Sequence, residues 1–206
     1  MIISHSHKFI FIHIYKVAGT SIGDALRGYA HFPSKVNKAK SFLGMAPNIF
    51  CNDFYGHIKA NDLKEKIPAK IFDGYFKFAF VRNPWDWQVS LYHFALQTPK
   101  HHQHELIKNM ESFDEYIEWR VNKELRLQKD FIYDEENLLV DYVGHLENIE
   151  QDFSEICNYL NVREVHLSTR NKSKHRNYRD YYTEYSKKLV EEAFAKDIEA
   201  FKYKFS

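Results

Sequence analysis

Cysteine is scarce in this 206-residue chain, with only Cys51 and Cys157, and their spacing matches no metal-ligand motif. The pair provides no disulfide framework. Cys157, on the apolar face of an expected helix, reads as a buried thiol in a reducing compartment. No apolar run approaches the ~20 residues that a membrane-spanning helix requires, and the N-terminus lacks the charged region and cleavage site of a signal peptide. Neither sign of charge dominates. Lys and Arg total 29 against 28 Asp and Glu, a formal net charge of +1, so no global field directs the chain to nucleic acid or a membrane. Glycine is sparse at seven residues, and there is no internal repeat, low-complexity tract or composition break. A single domain over residues 1–206 is expected, large enough to bury a substantial core.

Aromatics, by contrast, are abundant at 17%. The stretch Lys8–Ser21, KFIFIHIYKVAGTS, organises the rest. Phe9, Ile10, Phe11, Ile12 and Ile14 read as a strand buried on both faces, as in parallel sheets. A helical pattern follows, with Ile22, Ala25, Leu26 and Tyr29 on one stripe. Between them lie Lys16, Gly19, Thr20 and Ser21. A strand, a tight turn and a helix start make an anion site, because the free N–H groups of the first turn and the helix dipole favour negative charge. Lys16 adds a full positive charge. The loop is not a Walker A motif, whose Lys directly follows its second Gly; here Lys16 precedes the glycine by three residues.

Further along, Phe32–Phe50 reads as a long irregular segment with several lysines, suited to a substrate-facing role. Tyr75–Val81 is a second buried strand running into Arg82-Asn83-Pro84. Asn83 suits the N-cap and Pro84 the first position of a helix reaching about Gln97. Ser112 and Glu115 form a capping box for a helix from Phe113 to about Leu125. Leu138–Val143 reads as a strand and Asn148–Leu160 as a helix. Thr183 caps a final helix through Phe201. Asp130–Glu155 carries no Lys or Arg, whereas Arg170–Arg179 carries no acid. Buried strands alternating with helices give an α/β fold. The expectation is a single-domain three-layer sandwich with a central parallel sheet and a P-loop-like strand-loop-helix.

Strand-Lys16-x-x-Gly19-Thr20-Ser21-helix resembles the 5′-phosphosulfate loop of sulfotransferases that use 3′-phosphoadenosine 5′-phosphosulfate (PAPS). Tyr15 stands where a Pro is common. FAFVRNPWDWQVSLYHF, with Arg82 at a strand end and Ser90 two turns into the next helix, is similar to the family's 3′-phosphate site. An Arg fork and a helix hydroxyl suit phosphate oxygens. The family often has a second Arg at the position of Trp87, and often an Arg at that of His145. The resemblance, to the carbohydrate-type, Golgi-sulfotransferase-like branch, covers most of the chain. Golgi members carry an N-terminal anchor; this chain starts almost at its first strand, so a cytoplasmic microbial or viral member is expected.

The resemblance implies transfer of a sulfuryl group from PAPS to a hydroxyl of a carbohydrate or glycolipid, releasing 3′,5′-adenosine bisphosphate without a metal. It implies cofactor contacts from Lys16, Ala18, Gly19, Thr20, Ser21, Arg82 and Ser90. Lys174, Arg176 and Tyr178, in the basic run, stand where the family closes a loop over the nucleotide. Lys16 is expected to meet the leaving group. His57, after Tyr55-Gly56 and between the two donor motifs, is the expected general base, since imidazole titrates near working pH. His101, His102 and His104 read as a polar loop. The partners expected are the small-molecule donor and acceptor, with no nucleic acid. Two other readings stand beside this one: a non-catalytic nucleotide-binding relative and a P-loop-like kinase.

Overall fold

The computed structural model describes residues 1–163, 167 and 176–206. Two compact units emerge, Met1–Val81 with Asp130–Arg170, and Arg82–Lys129 with Asn171–Ser206.

The first unit is built on a four-stranded sheet. Its strands are β1 (Ile2–Ser4), β2 (Phe9–Ile12), β3 (Phe76–Val81) and, later in the chain, a fourth that lies beside β3. Among the described residues Tyr133–Asp134 (β4) and Asn137–Leu138 (β5) pair with each other alone, so the fourth strand is β6 (Tyr142–His145). The order is β1-β2-β3-β6, with β1 antiparallel to β2 and the remaining pairs parallel. Central position explains composition: all four residues of β2, and Phe78 to Val81 of β3, are buried because both faces of these strands are covered. Phe9 and Phe11 both pack on Phe78 across the β2–β3 pair.

The sheet is mixed rather than wholly parallel, because β1 folds back as an antiparallel edge. The fourth strand begins four residues later than the apolar pattern of Leu138–Val143 implies. Asp141 sets this register. Its carboxylate accepts from the Lys77 backbone N–H at 2.6 Å and pairs with Lys77 Nζ at 2.9 Å, while its own N–H donates to the Lys77 carbonyl at 2.7 Å. Leu138 is left 45% exposed. Helices Gly19–Leu26, Ala60–Lys66, Ala69–Gly74 and Ile149–Tyr159 complete the unit. The segment expected to be irregular contains a helix, Lys35–Phe42.

The second unit is helical. Pro84–Gln97 begins as its sequence dictates, with the Asn83 side chain accepting from Trp85 N–H and Pro84 at the first turn. Phe113–Lys123 is capped by Ser112, which accepts from Glu115 N–H; the Glu115 carboxylate reaches back to Glu111 N–H rather than to Ser112. The C-terminal segment is two helices, Glu184–Ala193 and Ala195–Phe201, divided at the buried Phe194. The fold is thus mixed α/β, with a central, mostly parallel sheet flanked by helices.

Candidate active site

Parallel strands β2 and β3 end on the same edge of the sheet, with Ile12 opposite Ala79. Beyond Ile12 the chain turns through His13–Ala18 into the helix Gly19–Leu26. Lys16 (φ 62°) and Ala18 (φ 57°) both adopt the left-handed conformation, which costs an ordinary residue about 1–2 kcal/mol. Left-handed residues alternating with others turn successive N–H groups toward one concavity, the arrangement of an anion-binding nest. Ala18, at the N-cap, has no side-chain oxygen to accept from the N–H groups of the first turn. Gly19 and Ser21 are buried and Thr20 is exposed. The donor set therefore fits a sulfate- or phosphate-like group.

Gly19 is required by a close approach. A Cβ at this position would collide with Nε2 of His13, whose imidazole covers the start of the helix. Sequence reasoning missed His13. A histidine at the carboxyl end of an apolar strand, one turn before a candidate anion loop, is the signal that marks it. Burial pushes the His13 ring down to about 3, so it is a neutral imidazole at the loop.

His57 reaches this same loop. Its Nδ1 lies 3.0 Å from the His13 carbonyl oxygen, and its ring lies 4.4 Å from that of His13. A carbonyl only accepts, so Nδ1 carries the proton and Nε2 keeps a lone pair, the tautomer of a base acting through Nε2. Burial lowers the His57 pKa, opposed by the bond to His13, which keeps the free ring neutral near pH 7. Tyr15, the departure from the usual Pro, packs edge-on against both His57 and Phe131. It holds the turn by aromatic contact where a Pro would hold it by ring constraint. A cleft of about 240 Å³ opens beside the loop, with His13, Gly19, Thr20, Asp24, Arg27 and Phe32 among its walls.

Lys16, Ala18, Gly19, Thr20, Ser21 and His57 thus belong to the first unit, and the structure brings His57 to the loop. Arg82, Ser90, Arg176 and Tyr178 belong to the second. Arg82 directly follows β3 and is buried. Its Nε donates to Asp86 at 2.7 Å, one helical turn on. Its backbone is closed on both sides by the fully buried Gln128, whose carboxamide accepts from Arg82 N–H and donates to Arg82 C=O. Ser90 is buried in the helix Pro84–Gln97. Trp87, at the position where the family often has a second Arg, is a fully buried core residue against Phe194. Tyr178 Oη donates to the Ser206 carbonyl, and Arg176 lies over the Tyr181 ring. Lys174 lies outside the described residues.

His145 has a structural partner: its N–H donates to Asp152 at 2.6 Å, fixing the end of β6. His104 Nδ1 donates to the Ala95 carbonyl. Among the described residues no three His, Cys, Asp or Glu side chains converge as a metal site would require, and no helix is long and apolar enough to cross a membrane.

The chain is similar to known proteins in three comparisons. An uncharacterized protein of Archaeoglobus fulgidus is 29% identical over 105 residues, half of this chain and 81% of that protein. The crystal structure of mouse sulfotransferase SULT7A1 complexed with PAP superposes with a TM-score of 0.57 over 92% of this chain and 84% of that one. At 13% identity this is a likeness of fold. The sequence profile of the sulfotransferase family matches residues 1–204, nearly the whole chain, and with the strand-loop-helix built as described it establishes that this protein belongs to the sulfotransferase family.

Proposed function

We propose that this chain is one sulfotransferase domain, residues 1–206, that moves a sulfuryl group from PAPS to a hydroxyl of a carbohydrate or glycolipid in the cytoplasm. The observation that carries the reading is the loop Tyr15–Ser21, with two left-handed residues opening onto an uncapped helix start beside the fixed tautomer of His57. Its N–H groups, Lys16, and the Thr20 and Ser21 hydroxyls take the 5′-phosphosulfate. Arg82, oriented by Asp86, and Ser90 take the 3′-phosphate, with Lys174, Arg176 and Tyr178 as further nucleotide contacts.

In the transfer, the acceptor oxygen forms a bond to sulfur as the bond between sulfur and the bridging phosphate oxygen breaks. The acceptor proton passes to His57 Nε2, and Lys16 meets the charge that develops on the departing 3′,5′-adenosine bisphosphate. By analogy with phosphoryl transfer, positioning and electrostatics supply most of the rate. His13, neutral beside the anionic group, adds no competing charge and supports His57 through its carbonyl. The cleft beside the loop, with Asp24, Arg27, Phe11 and Phe32 on its walls, offers polar groups beside aromatic surface, a combination that suits a sugar.

The test is calorimetric titration with 3′,5′-adenosine bisphosphate and with ATP, without metal, for wild type and Arg82→Ala. Micromolar binding of the bisphosphate, lost in the variant and weak for ATP, is expected. Equal or tighter binding of ATP would favour a kinase. Bisphosphate binding without turnover of PAPS on any hydroxyl acceptor would favour a non-catalytic relative.

A further inference from the structure

The helix Lys35–Phe42 is inside-out. None of its eight residues is buried. Its uncharged polar side chains are turned toward the neighbouring backbone: Asn37 Nδ2 donates to the Phe32 carbonyl, and Ser41 Oγ lies within hydrogen-bond reach of the carbonyls of Asn37 and Pro47. At about 100° per residue, the side opposite Asn37 and Ser41 presents Val36, Ala39 and Phe42, with Leu43 continuing the stripe. Phe42 is 91% exposed, Leu43 67% and Val36 61%. Lys38 and Lys40 flank the stripe on either side, and Lys35 stands at its start.

The end of the helix fixes this orientation. Gly44 is left-handed (φ 68°), Gly44 N–H donates to the Ser41 carbonyl, and Met45 N–H donates to the Lys40 carbonyl, which together form a Schellman closure. Such a closure usually folds an apolar residue back onto the helix, yet Met45 is 71% exposed. From Ala25 through Asn52 the sequence contains no acidic residue. Among the described residues, none of the ion pairs involves Lys35, Lys38 or Lys40.

An apolar stripe pointing outward, bordered by lysines whose stems can lie along it, has the polarity of a helix resting in a bilayer interface. We infer that residues 35–45 dock this protein on an anionic lipid surface. Phe42, Leu43 and Met45 enter the headgroup–acyl boundary, and Lys35, Lys38 and Lys40 meet lipid phosphates. The near-zero net charge of the whole chain conceals this local patch. Lipid charge rather than a protein partner is the better match, since each lysine reaches a plane of phosphates without a complementary shape.

The inference does not depend on the donor chemistry, and its test needs neither donor nor acceptor. Purified protein is sedimented with vesicles of phosphatidylcholine alone and of phosphatidylcholine mixed with phosphatidylserine, at low and high salt. Binding to the mixed vesicles, released by salt and absent on phosphatidylcholine, is expected. Loss of each lysine should weaken it roughly fivefold, so Lys35→Glu with Lys38→Glu and Lys40→Glu should abolish it. Phe42→Ser with Leu43→Ser should weaken it tenfold or more at a nearly unchanged melting temperature, because neither side chain is buried among the described residues. No binding to phosphatidylserine vesicles, or binding indifferent to both variants, overturns the inference. So does a dimer in sedimentation velocity that the Phe42 and Leu43 changes dissolve while vesicles leave the protein in solution; the stripe would then belong to a second copy.

Discussion

Gln128 closes both backbone hydrogen bonds of Arg82, accepting from its N–H at 2.9 Å and donating to its carbonyl at 2.7 Å. Arg82 stands one residue past the end of β3, where ladder partners run out, and a side-chain amide takes the place of a neighbouring strand. The clamp is itself anchored. The two oxygens of the buried Asp197 carboxylate accept from the N–H groups of Gln128 and Lys129, both at 2.8 Å. A helix more than sixty residues away in sequence thereby fixes the backbone of the arginine proposed to bind the 3′-phosphate.

Gln128→Ala should therefore destabilise the protein by about 2–6 kcal/mol, since it leaves a buried donor and a buried acceptor unpaired at ~1–3 kcal/mol each. Urea denaturation measures this directly. A loss below about 1 kcal/mol would mean that water replaces the amide without penalty.

The His13–Gly19 approach makes a pairwise prediction. Gly19→Ala drives a methyl into the His13 ring and should cost several kcal/mol or displace the loop. His13→Ala removes the obstacle. The double variant should be at least ~1 kcal/mol more stable than the sum of the single effects. Additive effects in that cycle would place the cost of Gly19→Ala elsewhere in the loop.

Ala18 offers a change in the opposite direction. With φ at 57°, Ala18→Gly relieves left-handed strain and should raise stability by up to about 1 kcal/mol, less the entropy that glycine gains in the unfolded chain. If the strain serves to aim the N–H groups, the affinity for 3′,5′-adenosine bisphosphate should fall in the same variant. Tighter binding would show that the strain is incidental.

What was legible in the sequence was local. β2, β3, the Asn83–Pro84 helix start and the Thr183 cap follow from apolar runs and cap chemistry acting within a few residues. The misses were long-range. β1 is three residues long and is a strand only because β2 lies beside it. β6 is displaced from its apolar pattern by the pairing of Asp141 with Lys77, 64 residues away. The apolar residues of the helix at Lys35 face solvent, so its sequence carries no core-facing pattern that marks a helix. The Arg82–Gln128–Asp197 chain joins three distant segments and leaves no local pattern. His57 stands between two sequence motifs, whereas His13 is hidden at the end of the strand it terminates.

Trp87 illustrates a substitution with a physical consequence. The family often has Arg there, but here the indole is fully buried against Phe194. Trp87→Arg should not restore a cofactor contact. It would place an unpaired charge in the core and cost more than ~3 kcal/mol, with loss of cooperative melting at 37 °C or below. A well-folded Trp87→Arg protein with improved bisphosphate affinity would show that the side chain reaches the site.

The histidine pair predicts how stability depends on pH. Burial depresses the His13 ring from its ordinary 6.5 to about 3 and also lowers His57. Above about pH 7 neither the folded nor the unfolded state protonates these rings, so the pair contributes no slope there. Below 6.5 the unfolded chain binds protons that the folded His13 refuses, and stability falls with decreasing pH until about pH 3. The slope from His13 alone approaches ~1.4 kcal/mol per pH unit, and His57 adds to it over a narrower window. Carboxylates also titrate below pH 5, so the informative quantity is the difference between wild type and His13→Asn, measured by urea denaturation at pH 7.5, 6 and about 5. The variant should lose less stability on acidification than wild type. Parallel profiles would mean that His13 takes up its proton in the folded state, and the neutral imidazole beside the anion loop would have to be abandoned.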